Sequence, residues 1–295
     1  MLTDPFGRTI KNLRIAVTSR CNLNCIYCHR EGEDNPGDEM SAERIAEIAN
    51  AFHELGVKKL KLTGGEPLLR RDICDIISSM PDFEEISLTT NGIFLKDLAF
   101  DLKASGLDRV NVSLDTLNAE TFRFITGGGD LNRVIEGLRT AVEAGLTPIK
   151  LNMVLMKGIN ESEVRKMLEF ANSFNKKGTN VILQLIELIP NSATERFYLD
   201  PTIFEGEFAR IANAIKIRDM HRRKQFVTPF GVVEIVKPLD NTDFCMHCNR
   251  IRITSDGKIK LCLMTNETVD LSGLSGEELK KAISEAVRRR RPFFR

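Results

Sequence analysis

Along residues 13–188, short runs rich in β-branched residues recur, each followed by a loop and then by apolar residues at helical spacing. They are LRIAVT (13–18), LKLTG (60–64), EISLTT (85–90), RVNVSL (109–114), IKLNMVL (149–155) and VILQLIEL (181–188). The stretches 42–56 and 134–144 between them stop at Gly56 and Gly145, as helices commonly do. Six alternations of strand and helix predict right-handed crossovers and a parallel sheet. Residues with chemical potential follow several different strands, at Cys21, Gly64, Thr89, Ser113 and Lys157. A doubly wound sheet gathers such residues at one crevice, whereas a barrel spreads them over its carboxyl-end face. The expected fold is α/β, an incomplete (β/α)6 barrel of TIM type over residues 1–216.

Beyond residue 216 the texture changes to short strands and turns, in QFVTPFGVVEIVKP and then NRIRITSDGKIKLCL, where Ser255-Asp256-Gly257 separates two alternating runs. Residues 217–295 are therefore expected to form a small β-containing appendage, ending in the basic tail RRRRPFFR.

With 295 residues, 42% hydrophobic and 28% charged, the chain can bury a large core. Forty-two basic and 41 acidic side chains leave a formal charge of +1, so no global field points to nucleic acid or a membrane surface. An anionic ligand would need a local cluster of cations. No apolar run approaches the roughly 20 residues that cross a bilayer, and residues 1–12 lack the apolar core of a signal peptide, so a cytoplasmic protein is expected. In that compartment seven cysteines suit metal ligation better than disulfides. Cys74, alone in DICDIISSM, reads as a small buried hydrophobe.

Cys21, Cys25 and Cys28 lie in TSRCNLNCIYCHR, close enough to cap three corners of a cubane iron–sulfur cluster. Such a cluster takes four ligands, so one iron is left for a cofactor to chelate. The alternative is a structural zinc knot completed by His29. Cys-x-x-x-Cys-x-aromatic-Cys, with Tyr27 as the aromatic, resembles the signature of the radical S-adenosylmethionine (SAM) superfamily. LTGGEP (62–67) after the second strand agrees with it. A glycine pair exposes backbone to a ligand, and Glu66 offers a carboxylate to an ammonium. The resemblance implies that SAM chelates the open iron and is cleaved by an electron from the cluster to a 5′-deoxyadenosyl radical.

Cys245, Cys248 and Cys262 form a second set of three, with a zinc site completed by His247 as the alternative. Between them Arg250 and Arg252 alternate along NRIRIT and so project to one side, beside the thiols. Two guanidiniums on one side suit phosphate or carboxylate. Lys59 and Lys61 alternate likewise in VKKLKLTGG, and Arg14 lies in NLRIAVT, so cations enter one barrel mouth from three places.

Together, DPFGRTIKNLRIAVTSRCNLNCIYC, GVKKLKLTGGEPLLRRD, LTTNG, RVNVSLD, MKGIN and FCMHCNRIRITSDGKIKLCL resemble the GTP 3′,8-cyclase family of molybdenum-cofactor biosynthesis over nearly the whole chain. The resemblance implies two [4Fe-4S] clusters, SAM, and conversion of GTP to (8S)-3′,8-cyclo-7,8-dihydroguanosine 5′-triphosphate. By position, Arg14, Lys59, Lys61, Thr89, Lys157, Arg250 and Arg252 would meet GTP, with Arg14, Arg250 and Arg252 also implied as catalytic. Tyr27, Gly64, Gly65, Glu66, Ser113 and Ile189 would meet SAM. Reduced ferredoxin or flavodoxin would donate electrons and cyclic pyranopterin monophosphate synthase would act downstream, with a homodimer allowed and no nucleic acid or membrane involved. Two departures stand out: the chain ends in RPFFR where the family has Gly-Gly, and Gln184 stands where the family has an arginine. Ile189 replaces a methionine. The basic tail, through Arg288 to Arg291 or Arg295, is expected to supply some of the missing role. The rival readings are a radical SAM peptide-modifying enzyme with one auxiliary cluster and a non-enzymatic metal-binding protein.

Overall fold

The computed structural model describes residues 1–33, 36–175 and 180–294. Its first strands and helices follow the expected order: β1 (Asn12–Ala16), α1 (Ala42–Glu54), β2 (Lys59–Thr63), α2 (Ile73–Ser78), β3 (Glu85–Thr90), α3 (Leu95–Ala104) and β4 (Arg109–Ser113). The next crossover holds two helices, α4 (Ala119–Thr126) and α5 (Leu131–Glu143), before β5 (Ile149–Val154), α6 (Val164–Ser173) and β6 (Val181–Ile186). Local sequence sets these boundaries. Asn118 Oδ1 caps α4 by accepting from the Glu120 and Thr121 amides, and Gly127 ends it at φ +71°.

The remaining elements are α7 (Glu205–Ile211), β7 (Ala214–Ile217), β8 (Lys224–Thr228), β9 (Gly231–Val236), α8 (Thr242–Met246), β10 (Arg250–Ile253), β11 (Lys258–Lys260), β12 (Thr268–Asp270) and α9 (Gly276–Arg289). The C-terminal region is β-rich as expected, and its strands extend the barrel sheet instead of forming a separate one. Among the described residues, twelve strands form one curled, open sheet in the order β12-β11-β10-β1-β2-β3-β4-β5-β6-β9-β8-β7. An incomplete barrel leaves unpaired backbone groups along both outer strands. The C-terminal segment satisfies both, because β10 pairs in parallel with β1 and β9 in parallel with β6.

The strands are not continuously apolar but alternate. Leu13 and Ile15 of β1, and Leu60 and Leu62 of β2, are buried in the core with Ile45, Ile48 and Phe52 of α1. Asn12, Arg14, Lys59 and Lys61 occupy the opposite face of the same strands, inside the curl. Cys74 packs partly buried against the core, as a small hydrophobe would. The polar interior is where the chemistry lies.

Candidate active site

Parallel register assembles the interior. Arg14 pairs with Lys61 on one side and Arg252 on the other, and Asn12 with Lys59 and Arg250. Further round, Ser87 joins Lys61 to Arg109, Asn111 joins Thr89 to Lys150, and Gln184 pairs with Glu234. All of these side chains except that of Glu234 line one cavity of about 920 Å³, together with Tyr27, Ser113, Ile189, Cys245, Cys248 and Cys262. That volume is at the upper end for a small-molecule site.

The cavity is cationic and repels itself. Burial, reinforced by Arg109, Arg14, Lys150 and Arg250, pushes the Lys61 ammonium well below its ordinary range. Burial and the neighbouring Arg14 bring Arg252 down to about 10. Lys150 falls to about 8, chiefly by burial, with Glu234 opposing and Arg223, Arg218 and Arg109 adding. Two carboxylates organise the cations. Glu31 takes Arg14 Nη1 at 3.0 Å on Oε1 and Arg252 Nη1 at 2.9 Å on Oε2, and the Thr63 hydroxyl also donates to Oε1. Glu234 takes Arg223 at 2.7 Å, Lys150 at 3.3 Å and the Gln184 side-chain amide at 2.6 Å. A guanidinium, that of Arg223, thus enters beside Gln184 from another part of the chain. Arg14 Nε is buried with no hydrogen-bond partner among the described residues, a donor left for a ligand.

The loop after β1 carries Cys21, Cys25 and Cys28, the first and last exposed. Amides of Leu23 and Arg30 donate to the Cys21 and Cys28 sulfurs at 3.4 Å, and Asn24 and Ile26 amides anchor the loop on the carbonyls of Thr126 and Ile125. Burial, then Asp115, Cys28 and Cys21, push the Cys25 thiol far up, so three thiolates here call for a cationic centre to bind. Gly64 and Gly65 are also required by packing. A Cβ on either would lie 2.2 Å from a backbone oxygen, that of Thr18 or of Arg20, so the glycine pair makes room for the cysteine loop itself. Glu66 is fully buried, and its carboxylate accepts from the Leu68 and Asn91 amides and the Thr90 hydroxyl. Burial nonetheless raises it to about 7. Tyr27, between two of the cysteines, reaches the cavity and donates its hydroxyl to Asp115 at 2.7 Å.

Cys245, Cys248 and Cys262 open directly into the cavity. Arg290 and Arg250 hold Cys248 below the usual thiol range although burial opposes them, which suits a metal-bound thiolate. His247 is engaged with Asp243 through Nδ1, and among the described residues no three His, Cys, Asp or Glu side chains converge as a single ion would need. Thiols spread this way suit a cluster, in which each sulfur meets a different iron. Lys157, by contrast, is exposed on the loop after β5 and does not line the cavity. Arg295 lies outside the described residues.

Sequence reasoning missed Glu31, Arg109, Lys150, Arg223 and Glu234. A signal for two of them was present: Arg109, Asn111 and Ser113, and Lys150 and Asn152, put polar residues at every second position of strands recognised only by their β-branched residues.

A curled, open sheet whose central strands are parallel, with a three-cysteine loop after β1, defines the radical SAM class of enzymes, and residues 15–171 match the model of the Radical SAM superfamily. Residues 181–294 match the Molybdenum Cofactor Synthesis C family. Over 295 residues the chain is 59% identical to the probable GTP 3′,8-cyclase of Archaeoglobus fulgidus, covering 100% of both chains. It is 46% identical to the probable GTP 3′,8-cyclase of Methanosarcina mazei over 304 residues, 100% of this chain and 90% of that one. The chain belongs to the GTP 3′,8-cyclase family of radical SAM enzymes. Its fold is also that of SuiB from Streptococcus suis, at a TM-score of 0.65 and 15% identity, covering 97% of this chain and 67% of that one. The solved structure of anSMEcpe with bound AdoMet gives 0.62 and 16%, covering 91% and 79%.

Proposed function

We propose that the cavity binds GTP and that the enzyme converts it to (8S)-3′,8-cyclo-7,8-dihydroguanosine 5′-triphosphate, the first step of molybdenum-cofactor biosynthesis. The observation that carries this reading is the cationic lining. Burial, and then neighbouring cations that include Arg14 for all three, push Lys61, Arg250 and Arg252 down, and a polyphosphate relieves that repulsion where a neutral ligand would not. Two [4Fe-4S] clusters would be held by Cys21, Cys25 and Cys28 and by Cys245, Cys248 and Cys262. With SAM, the first supplies a 5′-deoxyadenosyl radical able to take hydrogen from unactivated carbon.

The chain's own residues hold the reactants. Arg14 and Arg252 face each other across β1 and β10 and grip phosphate, with Lys59 at the rim near Glu85. Thr89 and Arg250 meet the nucleoside. Lys157, turned to solvent, would reach GTP only if its loop moved. Tyr27, Ser113 and Ile189 face SAM along the wall behind the first cysteine loop, and Gly64, Gly65 and Glu66 hold that wall in place. On this reading residues 1–216 form the SAM-binding barrel and 217–295 carry the second cluster. Reduced ferredoxin or flavodoxin serves as donor and cyclic pyranopterin monophosphate synthase takes the product, in the cytoplasm. No described helix is long and apolar enough to cross a membrane.

The test is mass spectrometry after anaerobic incubation of the cluster-loaded enzyme with GTP, SAM and reductant. A cyclised nucleotide, with 5′-deoxyadenosine released only when GTP is present, is the expected result. Unchanged GTP and nucleotide-independent cleavage of SAM would refute the reading.

A further inference from the structure

Asp4 and Arg290 stand 286 residues apart in sequence and meet at 3.1 Å. Asp4 is buried, and its carboxylate also accepts from the Phe6 and Arg8 amides and from Arg8 Nε at 2.7 Å. Both guanidiniums then reach the second cysteine triad. Arg8 Nη1 donates to the Cys245 carbonyl at 2.9 Å. Arg290 donates through Nη2 to the carbonyl of Cys248 at 3.4 Å and to its sulfur at 3.6 Å, and through Nε to the carbonyl of Leu261, next to Cys262. Two arginines fastened to one carboxylate thus touch the chain at Cys245, at Cys248 and at the residue before Cys262.

This is not the solvated end of a basic helix. Arg288 and Arg289 are exposed, and Arg289 pairs with Glu267. Arg290 is 2% exposed and forms part of the cavity wall. One carboxylate shared by two guanidiniums leaves a positive charge over, and in a buried setting that charge acts strongly on the sulfur beside it. Hydrogen bonds to cluster sulfurs and nearby charge are what set an iron–sulfur potential.

We propose that Arg290 is a positioning residue for the second cluster: fastened by Asp4, it fixes Cys248 and favours the cluster's reduced state. The step concerned is the uptake of one electron, with no bond made or broken and no proton moved. The inference rests on the assignment of Cys245, Cys248 and Cys262 as ligands. It also gives the C-terminal tail a role at the cluster.

The test is a dithionite titration of the full-length protein carrying both clusters, followed by electron paramagnetic resonance, with the first cluster recognised by the change of its signal on adding SAM. Arg290→Gln should shift the second cluster's midpoint to lower potential and leave the first unmoved. Arg290→Lys should recover part of the shift, and Arg288→Gln should titrate as wild type. An Arg290→Gln protein with both clusters and an unmoved midpoint overturns the proposal, as does an equal shift in Arg288→Gln. If Arg290→Gln loses the second cluster, Arg290→Lys decides: retention with a near wild-type midpoint supports the role of charge, and loss overturns it. Wild-type protein with iron for a single cluster would overturn the ligand assignment, and the proposal with it.

Discussion

Replacing Glu31 by glutamine should weaken the free protein and strengthen its hold on GTP. Glu31 is the shared partner of Arg14 and Arg252, and all three side chains are largely buried, at 14%, 17% and 12% exposure. Glutamine keeps the volume and one accepting oxygen, so what is lost is charge. Two guanidiniums left side by side without a counter-ion cost about 3–5 kcal/mol, and the retained oxygen puts the expectation near 3 kcal/mol. A phosphate entering the same pair no longer has to displace a carboxylate. If it restores half of that loss, GTP binds about tenfold more tightly. The arginines hold the Glu31 carboxyl far below its ordinary value of 4.5 although burial opposes them. Its contribution is therefore full above that value and fades as the pH falls below it, so wild type and Glu31→Gln should converge in acid. Urea unfolding and equilibrium dialysis with GTP, both anaerobic, read the two effects. A variant as stable as wild type that binds GTP no more tightly would refute the reasoning.

Gly65→Ala should lose the iron of the first cluster and keep that of the second, because the new Cβ would sit 2.2 Å from the Arg20 carbonyl, a backbone atom with little room to move. Iron analysis with a full complement would overturn this account of the glycine. Glu66, raised by burial from 4.5 to about 7, keeps in the folded state a proton that the unfolded chain releases. Its contribution is greatest below pH 4.5 and declines by roughly 3 kcal/mol as the pH rises to 7. The stability difference between wild type and Glu66→Gln, measured by urea unfolding across that range, should follow the same slope; a flat difference would contradict it.

The six barrel strands were legible to within two residues at most ends, because each joins a β-branched run to a glycine or polar stop. EISLTT coincides with β3, and LKLTG is displaced by one residue from β2. Both cysteine triads and the Arg14, Lys61, Arg250 and Arg252 group were legible too, since their spacing within a loop or strand is local. What stayed hidden depends on register between distant strands. The pairing of β10 with β1 brings Arg252 beside Arg14, and no local pattern announces which free edge a late strand will choose. A packing role of Gly64 and Gly65 stayed hidden for a related reason: the cysteine loop that crowds them arrives from a different crossover. A formal charge of +1 gave no hint of the cavity, which only the alternation of cations along single strands revealed.

The contact between Asp4 and Arg290 orders events during synthesis. The ribosome releases the first thiol loop early, when Cys28 emerges, and the barrel can close around it strand by strand. The second cradle must wait for residue 290 and for the chain's opening segment to be free to receive it. On the proposed ligand assignment, the segment that holds Cys245 and Cys248 gains its buried arginine partner from the end of α9 only once residue 290 has been made.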